Sequence, residues 1–126
     1  MNKDKNPSSL IDSFRYAGKG IVTTIKTERN FRIELAFAAF ALIASIVLAL
    51  TPVEWALIIV LIVLVLALEL TNSAIESVVD IVSPQKHPLA ERIKDGMAGA
   101  VLVMAIGSAA AGLIIFINAA LRLWGA

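Results

Sequence analysis

Three long apolar runs constrain this chain more than any other feature. Residues 35–50 are interrupted only by Ser45. Residues 55–68 carry no polar side-chain group except the Trp55 indole N–H, and residues 97–121 have only Ser108 and Asn118. A membrane-crossing helix needs roughly 17–25 residues. The third run meets that alone. The first two reach it only by drawing in their flanks, residues 31–34 before the first and Glu69 onward after the second, so acidic side chains are expected at membrane depth or at the interface. With 59% of its 126 residues hydrophobic and 17% charged, the chain is neither disordered nor a small soluble domain, which has too little interior for this much apolar surface. The absence of cysteine excludes disulfides, a thiolate nucleophile and Cys-ligated zinc. A net charge of +1 gives no ground for a nucleic-acid partner.

The predicted architecture is an all-α integral membrane protein forming one domain over residues 1–126. A surface amphipathic helix covers 9–29. Spans follow at 32–51, at 54–82 with a cytoplasmic extension, and at 96–121. In the first helix Leu10, Phe14, Ala17, Ile21 and Ile25 recur at helical spacing opposite Asp12, Arg15, Lys19 and Lys26, the pattern of a helix lying on headgroups. Of the eleven basic residues, seven fall in residues 1–32, three in the linker before the third run, and Arg122 follows it; the Thr51–Glu54 connection has none. The positive-inside rule then places the N-terminus and that linker in the cytoplasm. Trp55 and Trp124 suit interfacial belts. The small residues at 107–112 suit close helix packing rather than a phosphate loop.

The segment from Glu69 to Asp80 continues the second run without Pro or Gly, so the helix is expected to run on. Asn72, Ser73, Glu76 and Asp80 lie 3, 4, 7 and 11 residues beyond Glu69, which puts all five on one face. Glu69 abuts fourteen consecutive apolar residues, and an ionisable group at that depth usually pairs, binds an ion or does chemistry. Asp80, and in part Glu76, also suit a helix emerging into water. Glu28, Glu34 and the pair Lys94-Asp95 are expected near the same interface. Clustered carboxylates of this kind suit Mg²⁺, which takes one or two of them and completes its shell with phosphate and water. Neither a P-loop nor a protein-kinase signature is present.

Glu69-Leu-Thr-Asn72-Ser73-Ala-Ile-Glu76-Ser-Val-Val-Asp80, with Lys94-Asp95, Ala100-Val-Leu, Glu28-Arg29-Asn30-Phe31-Arg32 and His87-Pro88-Leu89-Ala90, resembles the prokaryotic integral-membrane diacylglycerol kinase family, which includes Gram-positive undecaprenol kinases. The resemblance runs from about Ser13 to Ile115. It implies a homotrimer in the bacterial cytoplasmic membrane, with cytoplasmic active sites using residues of neighbouring subunits. It implies transfer of the γ-phosphate of Mg²⁺·ATP to a lipid alcohol, diacylglycerol first and undecaprenol as the alternative. In it Glu69 matches the general base, and Glu28 and Glu76 match the metal-holding carboxylates. Tyr16, Glu28, Glu76, Gln85, Lys86, His87, Lys94 and Asp95 match nucleotide contacts. Asn72, Ser73 and Asp80 match supporting residues, and Phe31, Arg32, Glu34 and Glu69 match the lipid side.

Ser9 stands where the Gram-negative branch has an arginine near the nucleotide, and residues 98–100 read more like the Gram-positive or cyanobacterial branch. His87 by itself fits either a solvated loop residue or a nucleotide contact. The rival reading of another class is a small oligomeric transporter with Glu69 as its ion site.

Overall fold

The computed structural model describes residues 9–125, which form four helices: α1 Leu10–Thr27, α2 Arg29–Val47, α3 Pro52–Val82 and α4 Pro88–Trp124. Lys3 and Lys5, two of the basic residues used for orientation, lie outside the described residues. The fold is all-helical, and α2, α3 and α4 are each long and apolar enough to cross a membrane. At 1.5 Å per residue they measure about 28, 46 and 55 Å against a hydrocarbon core of about 30 Å. Two of the three therefore overrun the bilayer.

The helix ends have local causes. Ser9 caps α1 by accepting from the Asp12 N–H at 3.3 Å, with Asp12 in the first turn and Lys26 in the last, as the helix dipole favours. The helix of the first span stops at Val47, before residue 51. Ala49 enters the left-handed region at φ 50°, and the Leu50 N–H turns back to the Ser45 carbonyl at 3.2 Å. Then α3 opens on a capping box. The Glu54 N–H donates to Thr51 Oγ1 at 3.3 Å, and the Thr51 N–H donates to Glu54 Oε2 at 2.9 Å. Pro52 sits in the first turn, where its missing N–H is no loss. Helix α4 begins at Pro88, eight residues before the expected span, because the His87 ring accepts from the Leu89 N–H at 3.1 Å and so caps it.

Helix α3 is the spine: it packs most extensively on α4, then on α2, while α1 touches α2 and α3. At the hairpin end Leu50, Ile58 and Ala119 form a core with Trp55, Ile62 and Phe116 around them. There Arg122 forks onto Glu54 with bonds of 3.0 and 2.8 Å. At the linker end Lys94 pairs with Asp80. The two ion pairs are separated by about 39 Å of α3 and about 42 Å of α4, so both fit one antiparallel register. Elsewhere Phe37, Phe40, Ile46, Val103 and Ile106 remain more than 60% exposed. An apolar groove of about 590 Å³ runs along α3 and α4 past Leu61, Leu68, Gly99 and Gly107.

Candidate active site

The polar groups of the site gather where α3 leaves the apolar zone. Glu69 is 17 residues into α3 from Pro52, about 25 Å along it, and is 2% exposed. One of its carboxylate oxygens is buried without a partner. Asn72, one turn on, is also buried, and its side chain lies within reach of the Glu69 carboxylate. Glu76 and Asp80 follow at about 36 and 42 Å, beyond hydrocarbon depth and increasingly open.

Two other elements bring carboxylates to this face. Glu34, in the second turn of α2, has a buried oxygen without a partner and lies within charge–charge range of Glu69. Glu28 is the single non-helical residue between α1 and α2. Its Oε1 accepts from the Ser73 hydroxyl at 3.3 Å, and its charge, like that of Glu76, reaches Glu69. Lys94 supplies the cation, bonded to Asp80 and within electrostatic reach of Glu76. Glu28, Glu34, Glu69, Asn72, Ser73, Glu76, Asp80 and Lys94 thus share one end of the bundle.

Among the described residues no three acidic or imidazole groups form a complete metal cage. The donors present are carboxylate oxygens with unsatisfied capacity. That suits Mg²⁺, which keeps water and takes phosphate oxygens alongside one or two carboxylates. The buried carboxylate oxygens without a partner belong to Glu34 and Glu69.

The remaining expected positions are spread over α1, α2, α4 and the linker before α4. Gln85, Lys86 and His87 are exposed in the linker, and Asp95 is exposed beside Lys94. Tyr16 is half-buried on α1. Phe31 is 2% exposed, inside the packing. Ser9 works as a helix cap.

Some contacts escaped the sequence reading. The Arg32 guanidinium binds the last carbonyls of α1, and nothing in a linear sequence marks that. The Glu54–Arg122 fork also joins residues far apart in the chain. The capping box was legible as Thr51-x-x-Glu54, since Ser/Thr followed three residues later by Glu is its signature.

Comparison with known proteins identifies the family. A sequence model described as prokaryotic diacylglycerol kinase matches residues 15–116. The chain is 46% identical over 105 residues to the undecaprenol kinase of Bacillus subtilis, covering 83% of this chain and 85% of that protein. It is 41% identical over 105 residues to a diacylglycerol kinase of Synechocystis, covering 82% of this chain and 60% of that protein. It is 36% identical over 117 residues to the diacylglycerol kinase of Haemophilus influenzae, covering 92% and 99%. With a family match over most of its length and relatives well above 30% identity, the chain belongs to the prokaryotic diacylglycerol kinase family.

Proposed function

We propose that this lipid kinase transfers the γ-phosphate of ATP to the hydroxyl of a membrane lipid alcohol at the cytoplasmic face of a bacterial membrane. The observation that carries the reading is Glu69, a buried carboxylate with an unpartnered oxygen at membrane depth, ringed by Glu28, Glu34 and Glu76. A site at that depth lets the lipid arrive by lateral diffusion and ATP from water. The transporter reading has no support from the family.

Phosphoryl transfer asks little covalent chemistry of a protein; it asks for positioning and charge neutralisation. Glu69 accepts the proton of the acceptor hydroxyl, as a general base within hydrogen-bond reach does. Asn72, within reach of that carboxylate, holds its orientation. Glu28 and Glu76 would hold Mg²⁺, which when bound neutralises phosphate charge. Ser73 fixes the Glu28 carboxylate. Lys94, oriented by Asp80, adds positive charge on the nucleotide side, and Asp95, Tyr16, Gln85, Lys86 and His87 complete the nucleotide contacts. Glu34 lies on the lipid side, whereas Phe31 is packed inside the fold and Arg32 is bonded to the end of α1.

Helix α1 lies on the membrane surface in this reading. Leu10, Ile11 and Phe14 are each more than 70% exposed, which supports it. A homotrimer is supported by the uncovered apolar faces and by Gly96, Gly99 and Gly107, each with open space where a side chain would be; small residues admit a neighbouring membrane helix.

Two acceptors stand. Diacylglycerol is named by the family, and the 46% identity to an undecaprenol kinase favours undecaprenol. Labelled ATP with a panel of diacylglycerol, undecaprenol, ceramide and monoacylglycerol in mixed micelles separates them. The expected outcome is Mg²⁺-dependent phosphorylation of one of the first two. No transfer to any lipid, in trimeric protein, overturns the reading.

A further inference from the structure

The corner between α1 and α2 is held in an unusual way. Glu28 is the N-cap residue of α2, yet its side chain makes no cap hydrogen bond, although a carboxylate there suits the orphan N–H groups and the dipole. The first turn of α2 holds no acidic residue at all. Instead the Glu28 carboxylate accepts from Ser73 across on α3, and the corner is closed from the other side. Arg32 reaches back across it, and its Nη1 donates to the Ile25 carbonyl at 2.8 Å and to the Lys26 carbonyl at 3.1 Å. These are among the last carbonyls of α1, which have no partner within their own helix, and a cation is favoured at that end.

The backbone of Glu28 is pinned on both sides. Its N–H donates to the Thr24 carbonyl at 2.8 Å, and its carbonyl accepts from the Arg32 N–H at 3.3 Å. The flanking residues Thr24 and Phe31 are buried at 9% and 2% exposure, which seats the corner on protein. One residue of extended backbone between two helices has no other slack to take up. The direction of the Glu28 side chain therefore follows from the angle at which α1 and α2 meet, and Arg32 spans that angle.

We infer that Arg32 is a positioning residue for the phosphate-donor side of the site: it clasps the α1–α2 corner and so holds the Glu28 carboxylate toward α3. This rests on the proposed role of Glu28 toward Mg²⁺·ATP. It differs from a lipid-headgroup contact, the role that family resemblance gives Arg32, and the two make opposite kinetic predictions.

The test is steady-state kinetics of the full chain in mixed micelles, varying Mg²⁺·ATP and lipid separately, for wild type, Arg32→Met, Arg32→Lys, Glu28→Gln and the Arg32→Met/Glu28→Gln double variant. Losing a residue that orients a metal-holding group typically costs 10–100-fold, so Arg32→Met is expected to raise the Mg²⁺·ATP KM about tenfold, with the lipid KM unchanged. Arg32→Lys, whose ammonium reaches the same carbonyls, is expected to restore most of it. Once Glu28 is Gln, removing Arg32 is expected to add little, as coupled residues are non-additive. A rise confined to the lipid KM, or full additivity in the double variant, overturns the inference. If Arg32→Met does not fold, Arg32→Lys decides: a change in its lipid KM alone has the same overturning force. A wild-type chain without lipid kinase activity sinks the functional reading instead, before any variant is compared.

Discussion

Glu69 combines two costs, desolvation in an apolar helix and like charges from Glu28, Glu34 and Glu76. The Asn72 side chain offsets them in part. A fold gains nothing from such a residue, because buried acids in membrane helices are expensive. Glu69→Gln is therefore expected to leave resistance to denaturation equal or higher, while turnover falls at least about 100-fold, the usual scale of a general base. Unfolding midpoints in detergent and activity on the same preparation check this. Loss of both together would mean that Glu69 is structural. Ser73 offers a milder probe. Its hydroxyl donates to Glu28, so Ser73→Ala is expected to raise the Mg²⁺·ATP KM a few-fold without touching lipid affinity, and titration of both substrates reads it directly. The stripe itself was legible from spacing alone, because residues at 69, 72, 73, 76 and 80 must share a helical face. Glu28 and Glu34 were expected near the same interface, but which side chain of the stripe each meets was not legible, since both belong to other elements.

At the scale of elements, the helix starts are the informative places. Removing the Thr51 cap by Thr51→Ala is expected to cost about 1 kcal/mol, and Thr51→Ser to be nearly neutral, as denaturation in detergent will read. Activity per folded molecule stays unchanged, because the box lies at the hairpin end, away from the site. His87 has a double reading that one substitution separates. Its ring caps α4, and asparagine is an equally good cap. His87→Asn is expected to keep stability and raise the KM for ATP, and an unchanged KM would leave His87 with the cap alone. Sequence periodicity located the apolar bodies of α2, α3 and α4 and the end of α3 at Val82, but not where α2 stops or where α4 begins. Those boundaries depend on short-range hydrogen bonds such as Leu50 to Ser45, which no hydropathy pattern encodes.

Over the whole molecule, two ion pairs about 40 Å apart set the register of α3 against α4. The Arg122–Glu54 pair is bidentate, with a geometry lysine lacks. Reversing one charge, Glu54→Arg, is expected to lower the denaturation midpoint. The double reversal Glu54→Arg/Arg122→Glu is expected to recover part of it, with kinase activity following the folded fraction. A double variant no better than either single one would show that the fork contributes nothing to register. Large apolar residues on α2 and α4 are left uncovered, as helices that cross a membrane require.

Hydropathy and spacing alone make the chain helical and membrane-spanning and put most of its scarce charges at one end, with Glu54 and Arg122 at the other. Hydropathy and helical spacing are local properties, and the Glu69–Asp80 string carried the family likeness. Only the tertiary structure decided which carboxylates meet, that Glu28 turns to Ser73 rather than capping its own helix, and that Arg32 closes the corner behind it. Those outcomes depend on the angle between α1 and α2 and on the register of α3, which packing and long-range hydrogen bonds fix together.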